Sequence, residues 1–240
     1  MISSPHNEKL KLVRKLRDRK HREREGLFVT DGEDLLAAGL AAGAAPSFVL
    51  VAANSGLAGE AVEAKLLAEV SALGSGTRAI AVWPQLWVDA PKPVCIYLHG
   101  VGDPGNVGAI VRTAQALIGG SIVLGPGCAD PHGPKAVRAS MGALFSEPLV
   151  RQGFETTPAP RVALVAHGGR GLDDDDTGLN ALCSAATLCL GAERDGLPDE
   201  LLRECDEKIT IPLRSEAVES LNVAAAAAIA CQRVASERGL

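Results

Sequence analysis

Apolar and polar positions divide the chain into two α/β halves. In the first half, the charged stretch 6–24 predicts a basic helix. GLFVTDG predicts a strand ending in a turn, EDLLAAGLAAG a helix and SFVLVAA a second strand. AVEAKLLAEVSALG places Val62, Leu66, Val70 and Leu73 at helical spacing, and RAIAVW predicts a third strand. The Pro-rich stretch VDAPKP at 88–93 reads as a linker, giving domains at 1–88 and 94–240.

The second half alternates more regularly. Strands are expected at VCIYLHG (94–100), SIVLG (121–125), RVALVAH (161–167), TLCLGAE (187–193) and KITIPL (208–213). Helices are expected at 106–118, 135–145, 198–205 and 221–238. Near-continuous apolar strands separated by helices imply a parallel sheet covered on both faces. LDDDDTG at 172–178 reads as a solvated loop of mutually repelling carboxylates, a simpler reading than a metal site, and no metal is expected.

Composition limits the partners. Hydrophobic residues make up 47% of the 240, enough for a real core, but aromatics are only 3%. Recognition of single-stranded bases by aromatic stacking is therefore not expected. No run of 18 apolar residues suggests a membrane span, and the N-terminus lacks the apolar region of a secretory signal. Six cysteines fall without C-x-x-C spacing, mostly in apolar runs, as in a reduced cytoplasmic protein. The net charge of −5 is uneven. Residues 6–25 hold nine Lys/Arg against four Asp/Glu, a local +5, so the remainder carries −10. Local charge governs attraction to phosphate, and the alternative is a solvated helix whose acids partly neutralise it.

Two chemistries compete for the turn after the strand at 94–100. Gly100, Gly102 and Gly105 match the G-x-G-x-x-G of a dinucleotide site, which would make this an NAD-dependent enzyme. Against it, Pro104 removes a backbone N–H from the loop. The acid expected on the ribose after the next strand is also missing, since Asp130 lies beyond the strand end.

The same turn reads N-x-G-x-I-x-R-T-A through Asn106, Gly108, Ile110, Arg112, Thr113 and Ala114. On a helix, Ile110, Ala114 and Leu117 form the buried stripe and Arg112 falls off it. LGAERDGLP at 190–198 supplies Gly191, Glu193 and Gly196. IPLRSEAVESLNVAAAAAIA at 211–230 supplies Ser220, a candidate N-cap, and Asn222. These three motifs, in this order over most of the last 140 residues, resemble the SpoU/TrmH branch of the SPOUT RNA methyltransferases. KAVRASMGALF at 135–145, with Arg138, Ser140 and Gly142, resembles the same family. GLFVTDGEDLLAAGL resembles the ribosomal-protein-like substrate-binding domain that precedes many members, with Asp31 in place of the commoner Glu.

The resemblance implies a SPOUT α/β knot domain, transfer of a methyl group from S-adenosylmethionine to a ribose 2′-hydroxyl, and a homodimer in which the Arg112 position serves the partner's site. It implies polar active-site roles for Asn106, Arg112, Glu193, Ser220 and Asn222. It also implies cofactor contacts at Leu190, Gly191, Ala192, Gly196, Ile211, Leu213, Ser220 and Leu221. RNA contacts are expected at Arg14, Lys15, Arg17, Lys20 and Arg138. The separate N-terminal domain favours rRNA over tRNA as substrate, and no DNA or membrane partner is expected. A non-catalytic relative would have lost Asn106, Arg112 or Asn222, and all three are present.

Overall fold

The structure, a computed structural model, describes residues 1–147, 149–174, 178–214, 219–237 and 239. The chain forms two compact units: residues 1–86 with 130–145, and residues 87–129 with 146–240. The division is therefore not one cut at 88–93. The chain leaves the second unit after Ala129 and returns to it at Ser146.

In the first unit the predicted basic helix is two helices, α1 (Glu8–Lys15) and α2 (Arg19–Glu25), broken at Leu16–Asp18. Asn7 caps α1 by accepting from the Lys9 N–H at 2.9 Å. Then follow β1 (Leu27–Asp31), α3 (Glu33–Ala41), β2 (Phe48–Ala52), β3 (Glu60–Val62), α4 (Ala64–Val70) and β4 (Ala79–Pro84). The sheet order is β1-β4-β2-β3. Only β2 and β3 run parallel; β4 is antiparallel to both its neighbours.

One cluster of this unit is built from Leu10, Val13 and Leu16 with Val29, Leu50, Leu67, Val70 and Val82. Elsewhere in the unit the Phe145 ring lies 4.7 Å from Trp83 and 5.9 Å from Phe28, and His132 lies 4.8 Å from Phe28. His132 and Phe145 thus bring the segment 130–145 into the first unit.

The second unit contains β5 (Trp87–Val88), β6 (Val94–Leu98), α5 (Pro104–Leu117) and β7 (Ser121–Leu124). α6 (Pro134–Ser140), shorter than predicted, belongs to the inserted segment. After it come β8 (Leu149–Val150), β9 (Arg161–Leu164), β10 (Arg170–Gly171), β11 (Ala186–Leu190), α7 (Asp199–Arg203), β12 (Glu207–Thr210) and α8 (Val223–Glu237). The sheet order is β10-β12-β9-β11-β6-β7-β8-β5, and every pairing is parallel. This is the buried parallel sheet that the apolar runs predicted. α5 packs against α8, burying Val107, Ile110, Val111 and Ala114 of the one and Ala227, Ala230 and Val234 of the other. Another cluster joins Cys95, Tyr97, Val123, Ala163 and Cys189 to Phe154 and Leu197.

Asp175–Thr177 of the acidic loop, Ser215–Val218 of the RSEAV stretch and Arg238 of the last predicted helix lie outside the described residues.

Candidate active site

Parallel strands end at the same edge of a sheet, so the loops that follow them converge there. In the second unit they enclose a cleft of about 760 Å³. The loop after β11 contributes Leu190, Gly191, Ala192, Glu193 and Gly196. The segment after β12 contributes Ile211 and Leu213, and the approach to α8 contributes Ser220 and Leu221. All eight residues expected to touch a cofactor therefore line one cavity. Sequence reasoning missed the third wall, Val165, Ala166, His167 and Gly168 after β9, together with Leu202 and Lys208. The signal was present in RVALVAHGGR, where an apolar run gives way to a polar residue and glycine, as it also does in TLCLGAE.

The β11 loop folds back on itself. Ala192 N–H donates to Gly196 O at 3.0 Å and Gly196 N–H to Ala192 O at 2.9 Å. A Cβ at Gly191 would fall within the backbone of Gly196 and Leu197, so this close crossing admits glycine alone. Gly196 has φ +66°, the left-handed turn position that glycine adopts without strain. The loop holds Glu193 exposed at the cleft.

Glu193 accepts a hydrogen bond from Asn106 Nδ2. Asn106 Oδ1 accepts from Asn222 Nδ2 at 3.1 Å. Three residues from three separate motifs thus form one chain of hydrogen bonds, oriented by Asn106. Asn222 also caps α8: its Oδ1 accepts from the N–H groups of Ala224 (2.9 Å) and Ala225 (3.3 Å). The expected cap, Ser220, lies two residues earlier, exposed and lining the cleft. α5 begins at Pro104 rather than at 106. Its cap is Asp103, whose Oδ1 accepts from Gly105 (2.7 Å) and Asn106 (3.1 Å).

That cap bears on the dinucleotide reading. The first-turn N–H groups a pyrophosphate would need are already held by a carboxylate, which also repels phosphate. Asp130 belongs to the first unit, bonded to Arg22 Nε at 2.8 Å with both side chains buried.

Arg112 is exposed on α5 and is not among the cleft's lining residues, while Ile110 and Ala114 are buried and Leu117 is half-buried. At the end of β6, His99 N–H donates to Leu190 O at 2.9 Å, and the His99 ring meets the Tyr97 hydroxyl at 3.3 Å. Burial lowers the His99 pKa below its ordinary 6.5, leaving the ring neutral at pH 7. Burial pushes Tyr97 up to about 12.

The basic segment is less available to RNA than its charge suggests. Arg14, Lys15, Lys20 and Arg138 are exposed. Arg17 instead forms a two-pronged pair with Asp31 at 2.8 and 2.9 Å and donates to Val70 O at 2.7 Å. Arg22 is buried, and Lys9, Lys11, Arg19 and Arg24 pair with Glu60, Glu8, Glu23 and Glu25. Three charges of the net +5 are thus matched by acids from outside the segment, Glu60, Asp31 and Asp130.

Comparison with known proteins agrees with this geometry. The chain matches the SpoU rRNA Methylase family over residues 93–232 and the MRM3-like substrate binding domain over residues 7–82. It is 30% identical over 244 residues to the 23S rRNA (guanosine(2553)-2′-O)-methyltransferase RlmP of Bacillus subtilis, covering 95% of this chain and 96% of that protein. It resembles the AdoMet-bound rRNA methyltransferase of Sinorhizobium meliloti at TM-score 0.82 and 27% identity, over 100% of this chain and 97% of the other. The SpoU methyltransferase AviRb of Streptomyces viridochromogenes, at 23% identity, shares the fold with TM-score 0.80 over 97% of this chain and 98% of its own.

Proposed function

Because the chain belongs to the SpoU rRNA methylase family, we propose that it transfers the methyl group of S-adenosylmethionine to a ribose 2′-hydroxyl of rRNA. The observation that carries this reading is the junction at Asn106. It joins Glu193 and Asn222 beside a cleft lined by every residue expected to hold the cofactor.

The cleft fits that cofactor. Its apolar wall (Leu190, Leu197, Leu213, Leu221) suits an adenine ring, and Gly191, Ala192 and Gly196 line it without bulky side chains. When bound, S-adenosylmethionine supplies a methyl group already activated by its sulfonium. The protein's task is to position the acceptor and stabilise the charge that develops on its oxygen. Asn106, held between Glu193 and Asn222, fixes the amides that face the acceptor, and Ser220 offers a hydroxyl at the same wall. Arg112 stays protonated, so it acts as a fixed cation that holds a substrate phosphate and stabilises the developing alkoxide, not as a base.

Two further elements follow the family resemblance. The α5 face carrying Arg112 meets a second copy of the chain, and Arg112 of the partner subunit completes each cleft. The second unit carries the C-terminal α/β knot of the family. The first unit binds rRNA through Lys15, Lys20, Arg14 and Arg138. Among the described residues no helix is long and apolar enough to cross a membrane, and we place the protein in the cytoplasm with the ribosome.

The test is methyl transfer to rRNA followed by mass-spectrometric mapping of 2′-O-methylated nucleotides. Arg112→Ala should lower the rate by roughly a hundredfold or more while leaving cofactor affinity intact. Mixing Arg112→Ala subunits with inactive Asn222→Ala subunits should restore part of the activity, since one composite site of the heterodimer would be whole. No ribose methylation of rRNA by the wild-type protein would overturn the proposal.

A further inference from the structure

Lys208 lines the cleft but takes no part in the hydrogen-bond chain through Asn106. It stands on β12, which is paired with β10 on one side and β9 on the other. Across the sheet, Tyr97, Cys189, Ala163 and Lys208 lie side by side on β6, β11, β9 and β12. The first three belong to the buried apolar cluster with Phe154 and Leu197. The fourth is an exposed cation. Side chains alternate between the faces of a sheet, so positions two residues on continue the same face. Two residues after Ala163 and Cys189 come Val165 and Gly191, and both line the cleft. An apolar row of the sheet therefore ends in a lysine at the cleft wall.

No carboxylate answers this ammonium: among the described residues Lys208 forms no ion pair. The acids nearest it in the chain are engaged elsewhere. Glu204 lies 4.0 Å from Arg161, Asp206 accepts from the Arg161 N–H at 2.7 Å, and Glu207 pairs with Arg170 at 3.2 Å. A lysine on an exposed position is ordinarily a solvated surface charge. Here it shares a cavity with charges that sort by position. The carboxylates Glu193, Asp195 and Glu219 line the cleft from the β11 loop and the approach to α8. Arg194 lies between two of them in the chain. Lys208 is set apart from them, on a strand held on both sides.

We propose that Lys208 binds the carboxylate of the methionine half of the methyl donor, and so fixes which way round the donor lies in the cleft. This rests on the cofactor reading above and adds an anchor to it.

The charges of the ligand carry the assignment. S-adenosylmethionine has one negative group, that carboxylate, and two positive ones, its ammonium and its sulfonium. A carboxylate beside Glu193, Asp195 or Glu219 is repelled, whereas beside Lys208 it gains a charge-assisted hydrogen bond. The positive groups are favoured on the acidic side, where Asn106 joins Glu193 to Asn222. Loss of the methyl group removes the sulfonium charge and leaves the carboxylate as it was. Lys208 therefore holds donor and product alike, and contributes to binding rather than to the rate of transfer.

The experiment is calorimetric titration of the full-length protein with two ligands, S-adenosylhomocysteine and 5′-methylthioadenosine. The second keeps the adenosine and the sulfur but lacks the amino-acid part. Lys208→Gln should raise the Kd for S-adenosylhomocysteine by about tenfold and leave that for 5′-methylthioadenosine unchanged. Lys208→Arg, which keeps the charge, should restore most of the lost affinity. Added salt should weaken S-adenosylhomocysteine binding more in the wild type than in Lys208→Gln. Lys208 is exposed, so both variants should melt with the wild type. Unchanged S-adenosylhomocysteine affinity in Lys208→Gln overturns the proposal and leaves the cofactor reading standing. Equal losses for the two ligands also overturn it, because they would put Lys208 at the adenosine half. A wild-type protein that binds neither ligand sinks the cofactor reading, and the anchor with it.

Discussion

Asn222 Nδ2 donates to Asn106 Oδ1 at 3.1 Å, tying the cap of α8 to the first turn of α5. Asn222 therefore does two jobs with two ends of one amide. Its oxygen holds the N–H groups of Ala224 and Ala225, and its nitrogen orients Asn106 toward Glu193.

The two jobs separate by substitution. Asn222→Asp keeps an oxygen cap but loses the donor, and sets a carboxylate against the Asn106 oxygen. We expect its melting temperature to stay near that of the wild type while methyl transfer is lost. Asn222→Ala should lose activity and also about 1 kcal/mol of stability with the cap. Thermal melts alongside a methylation assay read both; full activity in the Asp variant would exclude a role for the Nδ2 donor.

Two glycines of one loop should respond differently. At Gly191 a Cβ would overlap the Gly196–Leu197 backbone, whereas Gly196 has nothing within 4 Å but a φ of +66°. Gly191→Ala should eliminate cofactor binding in a calorimetric titration, because the loop cannot close. Gly196→Ala should retain binding and lose only about 1–2 kcal/mol for the left-handed conformation. Equal effects would mean that the crossing at 191 does not shape the cleft.

The basic segment should divide into structural and binding cations. Arg17 is bonded to Asp31, whose side chain is 4% exposed, so Arg17→Ser should cost about 3 kcal/mol in a urea titration by stranding a buried carboxylate. Lys15→Ser and Lys20→Ser, on exposed positions, should change stability by less than about 0.5 kcal/mol. Each should flatten the salt dependence of RNA binding by about 0.7–0.9 in log–log slope. An unchanged slope would remove α1 and α2 from the RNA surface.

Glu147 supplies a pH test. Its side chain is buried, Lys92 Nζ is 3.8 Å away, and Oε2 has no hydrogen-bond partner among the described residues. Burial raises its pKa above the ordinary 4.5. Between the unfolded and folded values the native state binds more protons, so the favourable contribution of this group is lost as pH rises through the folded value. Glu147→Gln should therefore be more stable than the wild type at pH 7 to 8, and the advantage should shrink as pH falls toward 4.5. Urea midpoints across that range would show the convergence; parallel curves would contradict it.

The long elements were legible because apolar periodicity reports burial directly. β6, β7, β9 and β11 were found from continuous apolar runs, and α5 and α8 from their stripes. The site was legible for a related reason: polar residues in turns after those strands have no packing role to explain them. The short strands escaped. β5 and β8 have two residues each, too few to show a period, and Val88 of β5 falls within the stretch read as linker. Their pairing comes from neighbours, not from their own sequence.

The sequence by itself determined the long core elements, that the second sheet is parallel, and that Asn106, Glu193 and Asn222 lie where strands give way to helices. Tertiary structure decided what those residues touch. Arg17 and Lys15 look alike in the sequence, and only the approach of Asp31 makes one a structural cation and leaves the other exposed. Ser220 reads as the cap of the last helix, and the start of α8 at Val223 gives that role to Asn222 instead. The segment 130–145 follows β7 in sequence, yet Phe145 packs against Trp83 at a tilt and Asp130 neutralises buried Arg22. Periodicity encodes how much of a side chain is buried. Which partner does the burying depends on contacts between distant positions, and a one-dimensional pattern does not carry that information.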